Sequence, residues 1–141
     1  MGKIQWEQVT FRYPGSDRNA LDNVTLTVPS GAFCLLCGKS GCGKTTLLQQ
    51  LKPAITPHGT RTGQVTLNGT PVDGLSFRDQ STRIGYVMQD PDSQLVTDQV
   101  WHELAFGLEN LGLDQQTIRL RVAEMAQFFG LQELFHRDVQ T

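Results

Sequence analysis

The chain has 141 residues, enough for one domain with a sizeable core, and a formal charge of −2 with a pI near 5.8. That charge gives no general electrostatic basis for holding nucleic acid or an anionic membrane. No stretch approaches the ~20 apolar residues of a spanning helix, and the first residues lack signal-peptide form, so the expectation is a soluble, cytoplasmic chain with no nucleic-acid partner.

Residues 3 to 13 alternate, with Ile4, Trp6, Val9, Phe11 and Tyr13 as the apolar or aromatic members, and Pro14-Gly15 ends the run. The pattern predicts an edge or hairpin strand. Tyr13, just before the turn, can stack its ring on an adenine face, and its position suits a core or turn tyrosine as readily. Residues 23 to 28 alternate again, and Pro29-Ser30-Gly31 turns the chain into the apolar run Phe33-Cys34-Leu35-Leu36-Cys37, read as a buried strand. Cys34 and Cys37 then become small buried side chains. Their C-x-x-C spacing is not read as a metal or redox pair, because no second Cys or His pair lies at zinc-finger spacing.

The run leads into Gly38-Lys39-Ser40-Gly41-Cys42-Gly43-Lys44-Thr45, which fits G-x-x-x-x-G-K-[ST] at every fixed position, and Thr46 to Leu51 leads out with helical spacing. Strand, loop and helix in that order are the context this phosphate-binding motif requires. A triphosphate is densely anionic; glycines that adopt positive φ turn main-chain N–H groups toward it, and the positive end of the following helix adds to them. Residues Gly38 through Thr46 are the candidate nucleotide-binding set, with Lys44 placed to reach β- and γ-phosphate oxygens and the Thr45 hydroxyl to ligate Mg²⁺. Cys42 sits in the loop beside a helix N-terminus, where thiolate is favoured. It is expected to alkylate faster than Cys34 and Cys37 and to be protected by MgATP.

Pro53 to Gly63 holds two prolines and two glycines and reads as irregular. Gln64 to Leu67, Asn68-Gly69 and Thr70 to Val72 form a predicted hairpin on an N-G turn. Arg83 to Met88 is a short apolar strand suited to a parallel sheet, followed at once by Gln89 in a polar loop. Two helices follow. Val100, Leu104, Leu108 and Leu111 mark one face, with Thr97 or Asp98 as cap; Asp114 caps the second, where Ile118, Val122, Met125 and Phe129 recur until Gly130. Arg119, Arg121 and Glu124 read as solvated, and His58, His102 and His136 as surface or capping residues.

With these elements placed, the whole chain resembles the N-terminal half of an ABC transporter ATP-binding subunit. Four matches carry the resemblance: the aromatic in Phe11-Arg12-Tyr13-Pro14-Gly15, the Walker A loop from Gly38 to Thr45, the hairpin from Gly63 to Val72, and the Q-loop glutamine at Gln89. The stretch Ile84 to Leu113 is similar, more narrowly, to the ATPases of cobalt and energy-coupling-factor (vitamin uptake) importers. The resemblance implies an α/β P-loop NTPase of the ABC type, truncated: a mixed sheet core with an antiparallel β subdomain over residues 1–96, and the start of a helical subdomain over 97–141.

It further implies that Tyr13 stacks on adenine and that Gln89 helps coordinate Mg²⁺ and sense the γ-phosphate. The stretch from Asp90 to Asp98 would contact a coupling helix of a transmembrane subunit, and a second ATP-binding subunit would complete the ATP sandwich. A neutral amide at a strand's carboxyl end also suits a metal that must be released easily. The implied activity is ATP hydrolysis coupled to uptake of a vitamin or metal ion, with ATP and Mg²⁺ as cofactors, peripheral on the inner face of the cell membrane.

The family continues with an LSGGQ-type signature, a Walker B strand ending in Asp and Glu, and a switch His, none of which occurs before Val139-Gln140-Thr141. Asp90, Asp92, Glu103 and Asp114 end no apolar strand and do not substitute for those carboxylates. The chain by itself is therefore expected to bind ATP without hydrolysing it, and to expose an apolar sheet edge that promotes self-association. Two other readings stay open: a soluble ABC ATPase of DNA repair or translation, and a non-hydrolysing nucleotide-binding module.

Overall fold

The computed structural model describes residues 2–139, so Met1, Gln140 and Thr141 lie outside the described residues. The chain divides into two compact units, the first ending at Gly85 and the second beginning at Tyr86.

In the first unit β1 (Ile4–Arg12), β2 (Leu21–Val28), β3 (Thr60–Leu67) and β4 (Thr70–Pro71) form an antiparallel sheet in the order β2-β1-β3-β4. Of the two expectations for β1, edge or hairpin strand, the edge is not met: β1 is central, paired antiparallel with its successor β2 along one side and with β3 along the other. The apolar series of β1 slips parity between Trp6 and Val9, and a regular strand would send those two side chains to opposite faces. A bulge resolves the conflict: the ladder shifts between Glu7 and Thr10, and Gln8 takes φ 51°. Trp6, Val9 and Phe11 therefore all point into one core, shared with Leu21, Val65, Leu67 and Leu47. Gly63, at φ 80°, lies against the Glu7 and Gln8 carbonyls of that bulge, where a Cβ would collide with main chain.

The expected N-G hairpin is present. Asn68 and Gly69 take φ 54° and 78°, both central residues left-handed as the strand twist requires, between β3 and β4. β3 begins at Thr60, four residues before the expected Gln64, so only the first part of the irregular stretch stays non-extended, as a 3₁₀ turn over Pro53–Ile55. Arg61 in β3 pairs with Asp73.

Two expected strands are not formed. Residues 33–37 take part in no ladder and are exposed, with Phe33 at 98% and Leu35 at 77%; Cys34 and Cys37 are exposed free thiols rather than buried ones. Of the strand expected from Arg83 to Met88, Arg83 is helical and residues 84–88 belong to no ladder. An apolar run declares a preference for burial. It becomes a strand only where another segment satisfies its N–H and C=O groups.

Helix α1 (Lys44–Gln49) packs Leu47 into the core and is tied to β1 by the Trp6 indole N–H, which donates to the Leu47 carbonyl at 3.3 Å. A further helix, α2 (Phe77–Arg83), goes beyond the elements that periodicity predicts; Ser76 caps it by accepting from the Asp79 N–H.

The second unit contains α3 (Val100–Asn110) and α4 (Gln115–Phe129), which pack through Ala105, Val122 and Ala126. Ile118 is half-buried, but Met125 and Phe129 point to solvent, so the buried stripe of α4 is narrower than the periodicity suggests. Asp114 caps α4 by accepting from the Thr117 N–H at 2.9 Å, and Gly130 ends it at φ 69°, both as expected.

Neither Thr97 nor Asp98 caps α3. The cap position is Gln99, and the Val100 and Trp101 N–H groups donate to the Arg137 and Phe135 carbonyls of the returning chain. The Glu103 carboxylate instead accepts from the Val96 and Thr97 N–H groups and the Thr97 hydroxyl at 2.9 to 3.1 Å, fixing the approach to the helix.

Candidate functional site

The loop from Gly38 to Cys42 is exposed throughout, and its turn is set by the backbone. Cys42 N–H donates to the Lys39 carbonyl, Gly41 takes φ 77°, and Gly43 takes φ 93° as the residue preceding α1. Gly43 is doubly constrained. Its conformation is one that side-chain-bearing residues rarely adopt, and a Cβ there would lie 2.5 Å from the Ala20 carbonyl oxygen.

Lys44 folds back into the loop. Its ammonium donates to the Gly38 carbonyl at 2.9 Å and to the Lys39 carbonyl at 2.8 Å, with the Cys42 sulfur 3.8 Å away. The motif's lysine is thereby fixed by main-chain oxygens, while Thr45 is exposed one residue further along α1. Cys42 shares its exposure with Cys34 and Cys37, so any difference in their reactivity cannot come from burial.

Thr46 is buried at 6% exposure, and its hydroxyl lies 2.9 Å from the Tyr13 hydroxyl. Tyr13 follows the end of β1; its carbonyl accepts from Ser16 N–H across the Pro14-Gly15 turn, and its ring stands edge-on to buried Phe11 at 5.0 Å. Tyr13 nevertheless stays 38% exposed. One end of the first unit therefore brings together Tyr13, Thr46 and the loop from Gly38 to Thr45.

Gln89 belongs to the second unit and is exposed in a bend. The segment ahead of it is organised by a residue that sequence reasoning passes over: the Gln94 side chain accepts from Met88 N–H at 2.7 Å and donates to the Tyr86 carbonyl. Ser93 donates to the Asp90 carbonyl in the same loop. No motif announces Gln94, since a glutamine in a polar loop carries no pattern of its own. A cavity of about 310 Å³ in this unit lies between Trp101, Ala105, Ile118, Val122 and Phe135 and includes none of the candidate residues. Among the described residues, no helix is long and apolar enough to cross a membrane.

Residues 21–141 match the family described as ABC transporter. A Bacillus cereus protein named as a putative ABC transporter ATP-binding protein is 43% identical over 133 residues, covering 94% of this chain and 24% of that protein. The chain thus spans about a quarter of the length of that relative. Among solved structures, cbiO1 from Clostridium perfringens, described as part of the ABC transporter complex cbiONQ, superposes with a TM-score of 0.79 at 26% identity, over 96% of this chain and 53% of that one. The dimeric ATP-binding cassette MJ0796, in a post-hydrolysis state bound to ADP and Pi, shares the fold with a TM-score of 0.75 at 22% identity, over 97% of this chain and 62% of that one. The chain belongs to the ABC transporter family.

Proposed function

We propose that this chain binds MgATP through residues 38–46 and that, in the assembled protein, the bound nucleotide drives import of a vitamin or metal ion through a transmembrane partner. The observation that carries the proposal is Lys44 turned into a loop of glycine-dependent shape. Its ammonium is already oriented toward the loop interior, and the Gly43 backbone has no room for a side chain. These residues fit a polyphosphate: a preorganised cation and close main-chain approach lower the cost of holding dense negative charge.

In this reading Lys44 meets phosphate oxygens, and Thr45 with Gln89 supplies neutral oxygen ligands for Mg²⁺. Tyr13 presents its exposed ring to adenine. Residues 1–96 form the nucleotide-binding core with its β subdomain, and 97–141 begin a helical subdomain. The Asp90 to Asp98 stretch faces the membrane partner, by analogy with cbiO1 as part of a transporter complex, and a second ATP-binding subunit pairs with this one, by analogy with dimeric MJ0796. The protein would then sit in the cytoplasm against the inner face of the membrane.

Bound Mg²⁺ would neutralise charge developing on the transferred phosphoryl group. This chain's own contribution is to bind and orient. None of Asp90, Asp92, Glu103 and Asp114 is offered for orienting water: Glu103 is engaged by Val96 and Thr97 ahead of α3, Asp114 caps α4, and Asp90 and Asp92 lie exposed in the loop after Gln89. The 141 residues alone are accordingly proposed to bind nucleotide without turnover. An ATPase assay of the gene product that contains them, with Lys44→Ala as control, tests the reading. Phosphate release abolished by the substitution supports it; release that persists unchanged, or activity from the 141 residues alone, contradicts it.

A further inference from the structure

The Tyr13 hydroxyl is spent on the protein. Were Tyr13 only an aromatic platform, phenylalanine would serve, yet its oxygen reaches the buried hydroxyl of Thr46 at 2.9 Å. Three contacts fix this side chain: the 13–16 turn at its main chain, the Phe11 ring at its edge, and Thr46 at its tip. Thr46 is fixed in turn at its carbonyl, which accepts from both the main-chain and the side-chain N–H groups of Gln50 at 3.3 Å. Trp6 holds the adjacent Leu47 carbonyl. The turn of α1 that carries Lys44 and Thr45 is therefore bolted to the β1 segment at two consecutive residues, once by an indole N–H and once by a phenol.

We infer that Tyr13 is a positioning residue for the phosphate loop, acting through its hydroxyl on Thr46, in addition to any contact its ring makes with a base. The inference rests on the proposed binding of MgATP at residues 38–46. A buried hydroxyl that loses its partner either goes unsatisfied or rotates, and the other bonds to this turn hold its carbonyls rather than the Thr46 side chain. Loss of the bond loosens the turn bearing Lys44 and Thr45. The effect should reach ligands that have no base at all.

The test is calorimetric titration of the full chain and its variants with MgATP and, separately, with magnesium tripolyphosphate, which cannot stack on any ring. Tyr13→Phe keeps the ring and removes the bond, and is expected to weaken both ligands by the same factor, about three- to tenfold. Thr46→Ser, which keeps a hydroxyl for Tyr13 to meet, should lose less affinity for both ligands than Thr46→Val, which keeps none. On a Thr46→Val background, Tyr13→Phe should have no further effect.

Irreversibly lost protein lowers the fitted stoichiometry, whereas a reversible loss of folded protein weakens the apparent affinity, so each variant is first shown by circular dichroism to be as fully folded as wild type, which tells a purely structural role apart. Unchanged tripolyphosphate affinity in Tyr13→Phe, or additive losses in the double variant, overturns the inference while leaving the proposed function standing. If the wild-type chain binds neither ligand, the proposed function fails and the inference with it.

Discussion

The Lys44 ammonium donates to the Gly38 carbonyl oxygen at 2.9 Å, so the one lysine the phosphate-loop motif specifies is held by the first residue of that motif. The bond spans the loop from end to end. It makes loop shape and lysine position a single property: a change in the main chain anywhere between the two residues moves the ammonium as well.

Gly43→Ala tests that coupling. A left-handed conformation costs a side-chain-bearing residue about 1–2 kcal/mol, and the Cβ must also displace the Ala20 carbonyl. The expected destabilisation in urea is about 2 kcal/mol or more, with loss of nucleotide binding. Gly112→Ala is the control, since Gly112 has φ 69° but an added methyl would meet nothing within 4 Å, and it should cost only about 1 kcal/mol without affecting binding.

Cys42 lies close enough to Lys44 for its alkylation to report on the loop. Saturating MgATP is expected to slow modification of Cys42 at least about fivefold, an order-of-magnitude figure for an occluded thiol, while Cys34 and Cys37 react as before. Peptide mapping after timed alkylation reads all three. Equal slowing at every cysteine, or none, would contradict the placement of the nucleotide.

The exposed apolar run from Phe33 to Cys37 predicts self-association, because backbone without a ladder partner and carrying large apolar side chains pairs readily with another chain. Light scattering should give a mass above 15.7 kDa that rises with concentration, and Leu35→Lys should lower it. A concentration-independent monomer would argue against an adhesive segment.

Much of this fold is legible in the sequence. Asn68-Gly69, Asp114 and Gly130 each act through their own backbone or side chain, and each does what local chemistry dictates. The failures are of two kinds. Residues 33–37 and 84–88 read as strands because they are apolar, but pairing depends on a distant segment that periodicity cannot supply. Helix α2 escapes because its residues are largely polar and Phe77 is exposed; only the Ser76-x-x-Asp79 spacing signals it. At the candidate site the motif marks every loop residue, whereas the bond between Tyr13 and Thr46 joins residues 33 apart and has no signature along the chain.

Acid should weaken the helical unit in a defined direction. Burial raises the Glu103 pKa, but donation from Thr97 N–H, Val96 N–H and the Thr97 hydroxyl outweighs it and holds the carboxyl below its ordinary 4.5. Asp114 is likewise lowered from 3.8, chiefly by the Thr117 hydroxyl and N–H. A carboxyl with a depressed folded-state pKa adds stability above its unfolded pKa and loses it as pH falls through the folded value. Denaturant midpoints measured from about pH 6 down to about pH 3, a range that brackets the ordinary carboxyl values, should fall for wild type and fall less for Glu103→Gln. Parallel curves would remove the assignment.

The most direct test of the account is a calorimetric titration of MgATP into the wild-type chain and into Lys44→Ala, each first shown by circular dichroism to be folded. Saturable binding at one site, weakened at least about tenfold by the substitution, is the predicted result, since charge-assisted contacts to phosphate are worth roughly 1.5–3 kcal/mol. A folded wild-type chain that takes up no nucleotide, or a variant that binds as tightly, would contradict it.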